Sequence, residues 1–162
     1  MSDSRSEADE LVRKNIAESG CHVYTVFDPE EKTPNFSYSI GIQETTCVPE
    51  AIVIGLSPKL GHFMINEYKR QARTGVQFGR ALLFEGFLEG FPIYVERARR
   101  DLVDEYVLGC LRYYGEAPFE VVQLIYPSTK GIWPWEDAAT EWFKNNQPLL
   151  CQLRPDQAQA TS

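Results

Sequence analysis

Six consecutive residues near the middle of the chain, Ala51-Ile52-Val53-Ile54-Gly55-Leu56, carry no polar side chain. The run is far short of the ~20 apolar residues that cross a bilayer. Its β-branched content predicts a strand. A strand with one wet face alternates apolar and polar residues. A run without alternation predicts a strand covered on both faces. The chain must therefore lay other elements over both sides of this segment.

The remaining sequence offers those elements. Ala8, Leu11, Val12 and Ile16 follow helical spacing, which predicts a helix over 5–19, with Ser4 and Glu7 as a capping box and Gly20 as its stop. Ser57-Pro58 opens a second helix, since Ser caps well and Pro suits the first helical position. Leu60, Met64, Tyr68 and Ala72 recur at fours along it, beside Phe63 and Ile65, until Gly75. A third helix is expected over 101–114, where Leu102, Val103, Tyr106, Val107, Cys110, Leu111 and Tyr114 form a wide apolar stripe. Residues 22–27 and 36–40 read as strands joined by the turn-rich segment 28–35. Residues 81–89 and 92–96 read as another strand pair around Gly90, and 119–126 as a last strand. A short helix is expected from Glu136, and extended chain over 147–150. Paired short strands with helices between them imply an α+β fold: a mostly antiparallel or mixed sheet of about six strands flanked by about three helices. One domain is expected over 20–150, preceded by the helix of 1–19 with its frayed start and followed by a flexible tail over 151–162.

The formal net charge is −7. Nucleic-acid binders displace counterions with basic surface, so neither nucleic acid nor an anionic membrane is an expected partner. Arg97, Arg99 and Arg100 are a candidate basic cluster, and Glu96, Asp101 and Asp104 flank it as on a solvated helix start. The first residues are polar and acidic, with no apolar signal core. Together with four widely spaced cysteines this predicts a cytoplasmic protein with reduced thiols.

No metal and no cofactor is expected. Cys21 and His22 are adjacent, so on a strand they point to opposite faces and make a poor ligand pair. A cysteine nucleophile would need His22 or His62 within reach of a thiol. Cys110 belongs to an apolar stripe, whereas Cys21 and Cys47 fall near loops. Gly79, Gly86 and Gly90 form neither a dinucleotide fingerprint nor a phosphate loop. Two features remain. His62 and Asn66 are four residues apart on one helix, hence on one face, where His can act as acid, base or ligand. Trp133-Pro134-Trp135-Glu136 puts two large aromatics in a Pro-bounded loop. Such rings either plug the end of a core or offer a flat binding surface.

The order of several short stretches resembles a bacterial family, domain of unknown function 4262. They are Tyr38-Ser39-Ile40-Gly41-Ile42, Pro49-Glu50, Gly55-Leu56, His62 with Ile65-Asn66, Gln123-Leu124 leading to Pro127, Gly131 with Pro134-Trp135, and Gln147-Pro148. The likeness spans about 20–150. Tyr126 and Ser128 stand where the family tends to have Trp and Asp. The resemblance implies kinship and no particular chemistry. With no strong catalytic constellation, the expected role is a non-catalytic protein-interaction module of an accessory or immunity type. The alternative is a small-molecule or enzymatic site between His62 and Asn66 and the 133–136 loop. Its ligand-binding residues would be Tyr38, His62, Asn66, Gln123, Trp133, Trp135 and Glu136.

Overall fold

The computed structural model describes residues 2–151 together with 154 and 155. In chain order the elements are α1 (Ser2–Ser19), β1 (His22–Val26), β2 (Phe36–Ile40), α2 (Ile42–Thr46), β3 (Glu50–Ile54), α3 (Pro58–Arg73), β4 (Leu83–Leu88), β5 (Phe91–Arg97), α4 (Arg100–Val103), α5 (Leu108–Tyr114), β6 (Val121–Ile125) and α6 (Glu141–Asn146). The six strands form one mixed sheet in the order β1-β2-β3-β6-β5-β4. β3 and β6 run parallel at its centre. The other neighbours are antiparallel. The fold is α+β.

The apolar run becomes β3, and its alternate residues feed two separate cores. Ala51 and Val53 pack with Met64, Ile65 and Tyr68 of α3 and with Phe87, Ile93, Val95 and Leu124. Ile52 and Ile54 pack on the opposite face with Val12 and Ile16 of α1, Tyr38, Ile40, Val107 and Cys110. Burial on both faces is what an unalternating strand requires. Each fully buried Ile contributes about 1.5–3 kcal/mol of hydrophobic free energy.

Three boundaries differ from the sequence reading. α1 begins at Ser2, so Ser4 lies inside the helix and not at its cap. The expected helix over 101–114 is two pieces, α4 and α5. The N–H groups of Tyr106 and Val107 both bond to the carbonyl of Val103, at 2.9 and 3.2 Å. The helical ladder stops there, because Val107 takes φ −99°, ψ 49°. Val and Tyr are weak helix formers, so little opposes that break. The short helix near 136 starts five residues later, where Thr140 Oγ1 caps α6 by accepting from Phe143 N. The α3 start matches expectation: Ser57 Oγ accepts from Leu60 N at 3.3 Å ahead of Pro58. Most of the expected tail over 151–162 lies outside the described residues, although Cys151 still bridges to Ala98.

Arg97, Arg99 and Arg100 do not form a free basic patch. They pair with Glu120 at 2.6 Å, Asp101 at 2.7 Å and Asp104 at 2.6 Å respectively. Among the described residues, no helix is long and apolar enough to cross a membrane.

Candidate functional site

β3 and β6 run in the same direction, so their carboxyl ends open at the same edge of the molecule. Crevices at the carboxyl ends of parallel strands are common ligand sites, because the chain leaves each strand there in a different direction. β3 exits through Gly55-Leu56 into α3, and β6 exits through Tyr126-Pro127-Ser128 into the carboxyl-terminal loop. Between them lies a groove of about 630 Å³. Leu60 from the first turn of α3, Phe91 from the start of β5, and Ile132, Trp142 and Phe143 wall it.

The polar groups of this groove are largely committed. Tyr126 Oη donates to Ile54 O at 2.6 Å, and Asn146 Nδ2 donates to Gly55 O at 2.9 Å. Ser128 Oγ accepts from Lys130 N at 3.3 Å and from Ile132 N at 3.2 Å. Burial pushes the Tyr126 hydroxyl well above its ordinary range. Only Lys130 and Glu89, both exposed, bring charge to the groove. Such a lining favours an uncharged, mainly apolar occupant.

The residues singled out from sequence are dispersed. His62 is exposed and lines a shallow cavity of about 540 Å³ with Asn66, Thr25, Lys59 and Phe63. Tyr38 points to the other face of the sheet, into the core under α1 and α5. Gln123 is fully buried and donates to Pro148 O at 2.9 Å while accepting from Leu150 N at 2.7 Å. Trp133 and Trp135 stack at 5.4 Å and 4° from parallel, and Tyr94 touches both at 4.8 and 5.8 Å. Glu136 Oε2 accepts from Trp133 N at 2.6 Å, which ties the carboxylate to its own turn. Trp135 lines a small cavity of about 300 Å³ beside Lys144 and Gln147. None of the described cavities joins His62 or Asn66 to Trp133, Trp135 or Glu136. The α3 start and the loop after Pro127 do meet across the groove, but through Leu60, Ile132 and Trp142.

A family model described as a domain of unknown function, DUF4262, matches residues 15–140. The chain belongs to the DUF4262 family. No curated protein and no solved structure matches it.

Several residues that carry the DUF4262 resemblance hold the frame of the fold. Gln147 Nε2 donates to Tyr126 O at 2.9 Å and its Oε1 accepts from Tyr126 N at 3.1 Å. Gln123 and Gln147 thereby clamp the segment after α6 beside β6. Glu50, fully buried at the start of β3, collects five donors. Its carboxylate accepts from Ser39 Oγ at 2.7 Å and from the N–H groups of Gly41, Ile42 and Gln43 at 2.9, 3.0 and 3.2 Å. Tyr114 Oη donates to it as well. This carboxylate is what holds the start of α2, a helix that apolar spacing does not announce. Gly41 at that turn has φ +104°, and a Cβ there would lie 2.7 Å from Ile16 Cγ1. Burial pushes Glu50 above the usual carboxylate range, and its donors pull the other way.

Of the four thiols, Cys47 is exposed. Cys21 and Cys110 are buried, and burial raises both. Cys151 is pushed up to about 11, chiefly by burial. His22 Nδ1 accepts from Asn15 Nδ2 at 2.8 Å. Among the described residues no group of His, Cys, Asp and Glu side chains could hold a metal. What the sequence reading missed is the groove itself. Its signal was the pair of exits, Gly55-Leu56 and Tyr126-Pro127-Ser128, and only the parallel pairing of β3 with β6 brings them together.

Proposed function

We propose that this DUF4262 domain is a non-catalytic binding module that holds an uncharged, mainly apolar small molecule in the groove at the carboxyl ends of β3 and β6. The observation that carries this reading is the groove of about 630 Å³, walled by Leu56, Leu60, Phe91, Ile132 and Trp142. That volume falls within the usual range for small-molecule sites. The non-catalytic reading draws support from the committed hydrogen bonds of Tyr126, Ser128 and Asn146. It also draws support from the buried carboxylate of Glu50, which serves the start of α2.

A neutral fluorescent probe, N-phenyl-1-naphthylamine, tests it. The probe is expected to brighten on binding with one site per chain. Ala138 is exposed and lines the groove, so Ala138→Trp fills the site without entering a core. The variant is expected to weaken binding by about tenfold or more, which is 1.4 kcal/mol. Absence of binding, or equal binding by the variant, overturns the reading.

Trp142 favours a second reading. It is 71% exposed at the groove rim. A large exposed ring beside an apolar groove suits the anchor of a protein partner. If a partner is the occupant, Trp142→Ala removes a protein that co-purifies from the native host.

A further inference from the structure

A separate cavity lies on the opposite face of the sheet, between α1, β1, β2 and α5, with a volume of about 570 Å³. Its floor is aromatic. Tyr24 and Tyr38 are register partners on β1 and β2, and their rings stack at 5.6 Å, 25° from parallel. Gly109 keeps that floor open. A Cβ there would sit 2.7 Å from Tyr38 Oη and 3.1 Å from Tyr24 Cε2.

The walls are charged. Arg13 comes from α1, and Arg112 and Tyr113 come from α5. Asp9 is the carboxylate of this lining, and Arg112 Nη2 holds both of its oxygens at 2.9 and 3.0 Å. Within this lining two guanidiniums face one carboxylate, and the Glu44 carboxylate lies beyond it, beside Tyr113. Tyr38 adds a buried donor. It is 3% exposed, and its hydroxyl accepts from Gly109 N at 2.9 Å. Among the described residues its own proton has no acceptor. Burial pushes this hydroxyl up to about 12, so it keeps its proton at neutral pH.

We propose that this cavity binds a planar organic anion of the aromatic carboxylate class, with its ring on the Tyr24–Tyr38 floor and its carboxylate toward Arg13, Arg112 and the Tyr38 hydroxyl. Arg recognises carboxylates through paired N–H donors, and aromatic rings favour offset stacking. Tyr113 closes the α5 side. The site is independent of the groove: it lies on the other core, shares no lining residue with the groove, and selects for the opposite property, charge.

The test compares 2-naphthoate with its neutral alcohol, 2-naphthalenemethanol, by calorimetry on the full chain at low ionic strength. Amide shifts are followed by NMR. Naphthoate is expected to bind about tenfold tighter than the alcohol. Its largest shifts should fall at Gly109 and Tyr24. Arg13 is exposed, so Arg13→Gln should leave the fold intact and erase most of that preference. Tyr24→Leu should weaken both probes. Equal affinity for acid and alcohol overturns the proposal, as does an unchanged preference in Arg13→Gln. So does naphthoate failing to bind at millimolar concentration. Shifts at Leu60 and Ile132 without shifts at Gly109 assign naphthoate to the groove and also overturn it.

Discussion

A carboxylate that takes five donors cannot be exchanged for its amide without loss. In Glu50→Gln one oxygen becomes an NH₂ group. Whichever oxygen is replaced, at least one backbone N–H among Gly41, Ile42 and Gln43 then faces a donor. A buried donor without an acceptor costs about 1–3 kcal/mol. Urea unfolding of Glu50→Gln at neutral pH is expected to show a loss of that size, with α2 amides exchanging faster. A change under about 0.5 kcal/mol, the range of ordinary surface substitutions, would show that Glu50 does not hold α2. Pro49-Glu50 stands out in the sequence as a family mark, but its role is not legible there. The donors come from residues 39–43 and from Tyr114, 64 residues away, and only the sheet brings them together. Tyr38 and Gln123 illustrate the same limit. Gln123 is spent on Pro148 and Leu150, while Tyr38 lies on the face of the sheet opposite α3, away from His62 and Asn66.

At the level of elements, strands were the legible part. The expected strands over 22–27, 36–40, 51–56, 81–89, 92–96 and 119–126 all appear, within a few residues at each end. Alternation and β-branching are local properties, so a sequence carries them directly. The breaks were not legible. The stripe over 101–114 fits one helix, and only the close turn at Val103 to Val107 divides it. Nor was the carboxyl-terminal clamp legible. The segment 147–150 has no strand partner of its own and is fixed through Gln123 and Gln147. Gln123→Leu keeps the volume of the side chain but removes both of its bonds. Hydrogen exchange at the Leu150 amide is expected to speed up by about tenfold or more, as expected when one buried hydrogen bond of 1–3 kcal/mol is lost. Leu150 O also accepts from Arg99 N at 2.7 Å, so the Arg99 amide should quicken with it. Unchanged exchange at both amides would show that packing alone holds this segment. The consequence for function is direct, since α6 and the groove wall lie just before it.

For the molecule as a whole, the decisive fact is that one sheet serves two cores. Alternate residues of β3 belong to different faces, and β6 behaves likewise, with Val122 and Leu124 on the α3 side and Val121 on the other. Neither core can be lost while the sheet survives intact. The two cavities inherit this arrangement, one beside each core, and so they share a scaffold without sharing residues. A sheet shared in this way predicts cooperative, two-state unfolding. The tryptophans make a strict test, because all three lie within 133–142. Their fluorescence reports the carboxyl-terminal loop and α6, whereas far-UV circular dichroism reports the whole chain. The two signals are expected to give the same midpoint in urea. Ile52→Ala and Met64→Ala remove buried side chains from opposite faces, both fully buried. Each should cost about 2–5 kcal/mol and move both signals together. Ile52 lies on the face away from α3 and the groove. If Ile52→Ala lowers the dichroism midpoint while the tryptophan midpoint stays in place, the loop unfolds as its own unit. The groove would then be an appendage to the sheet and not a product of it.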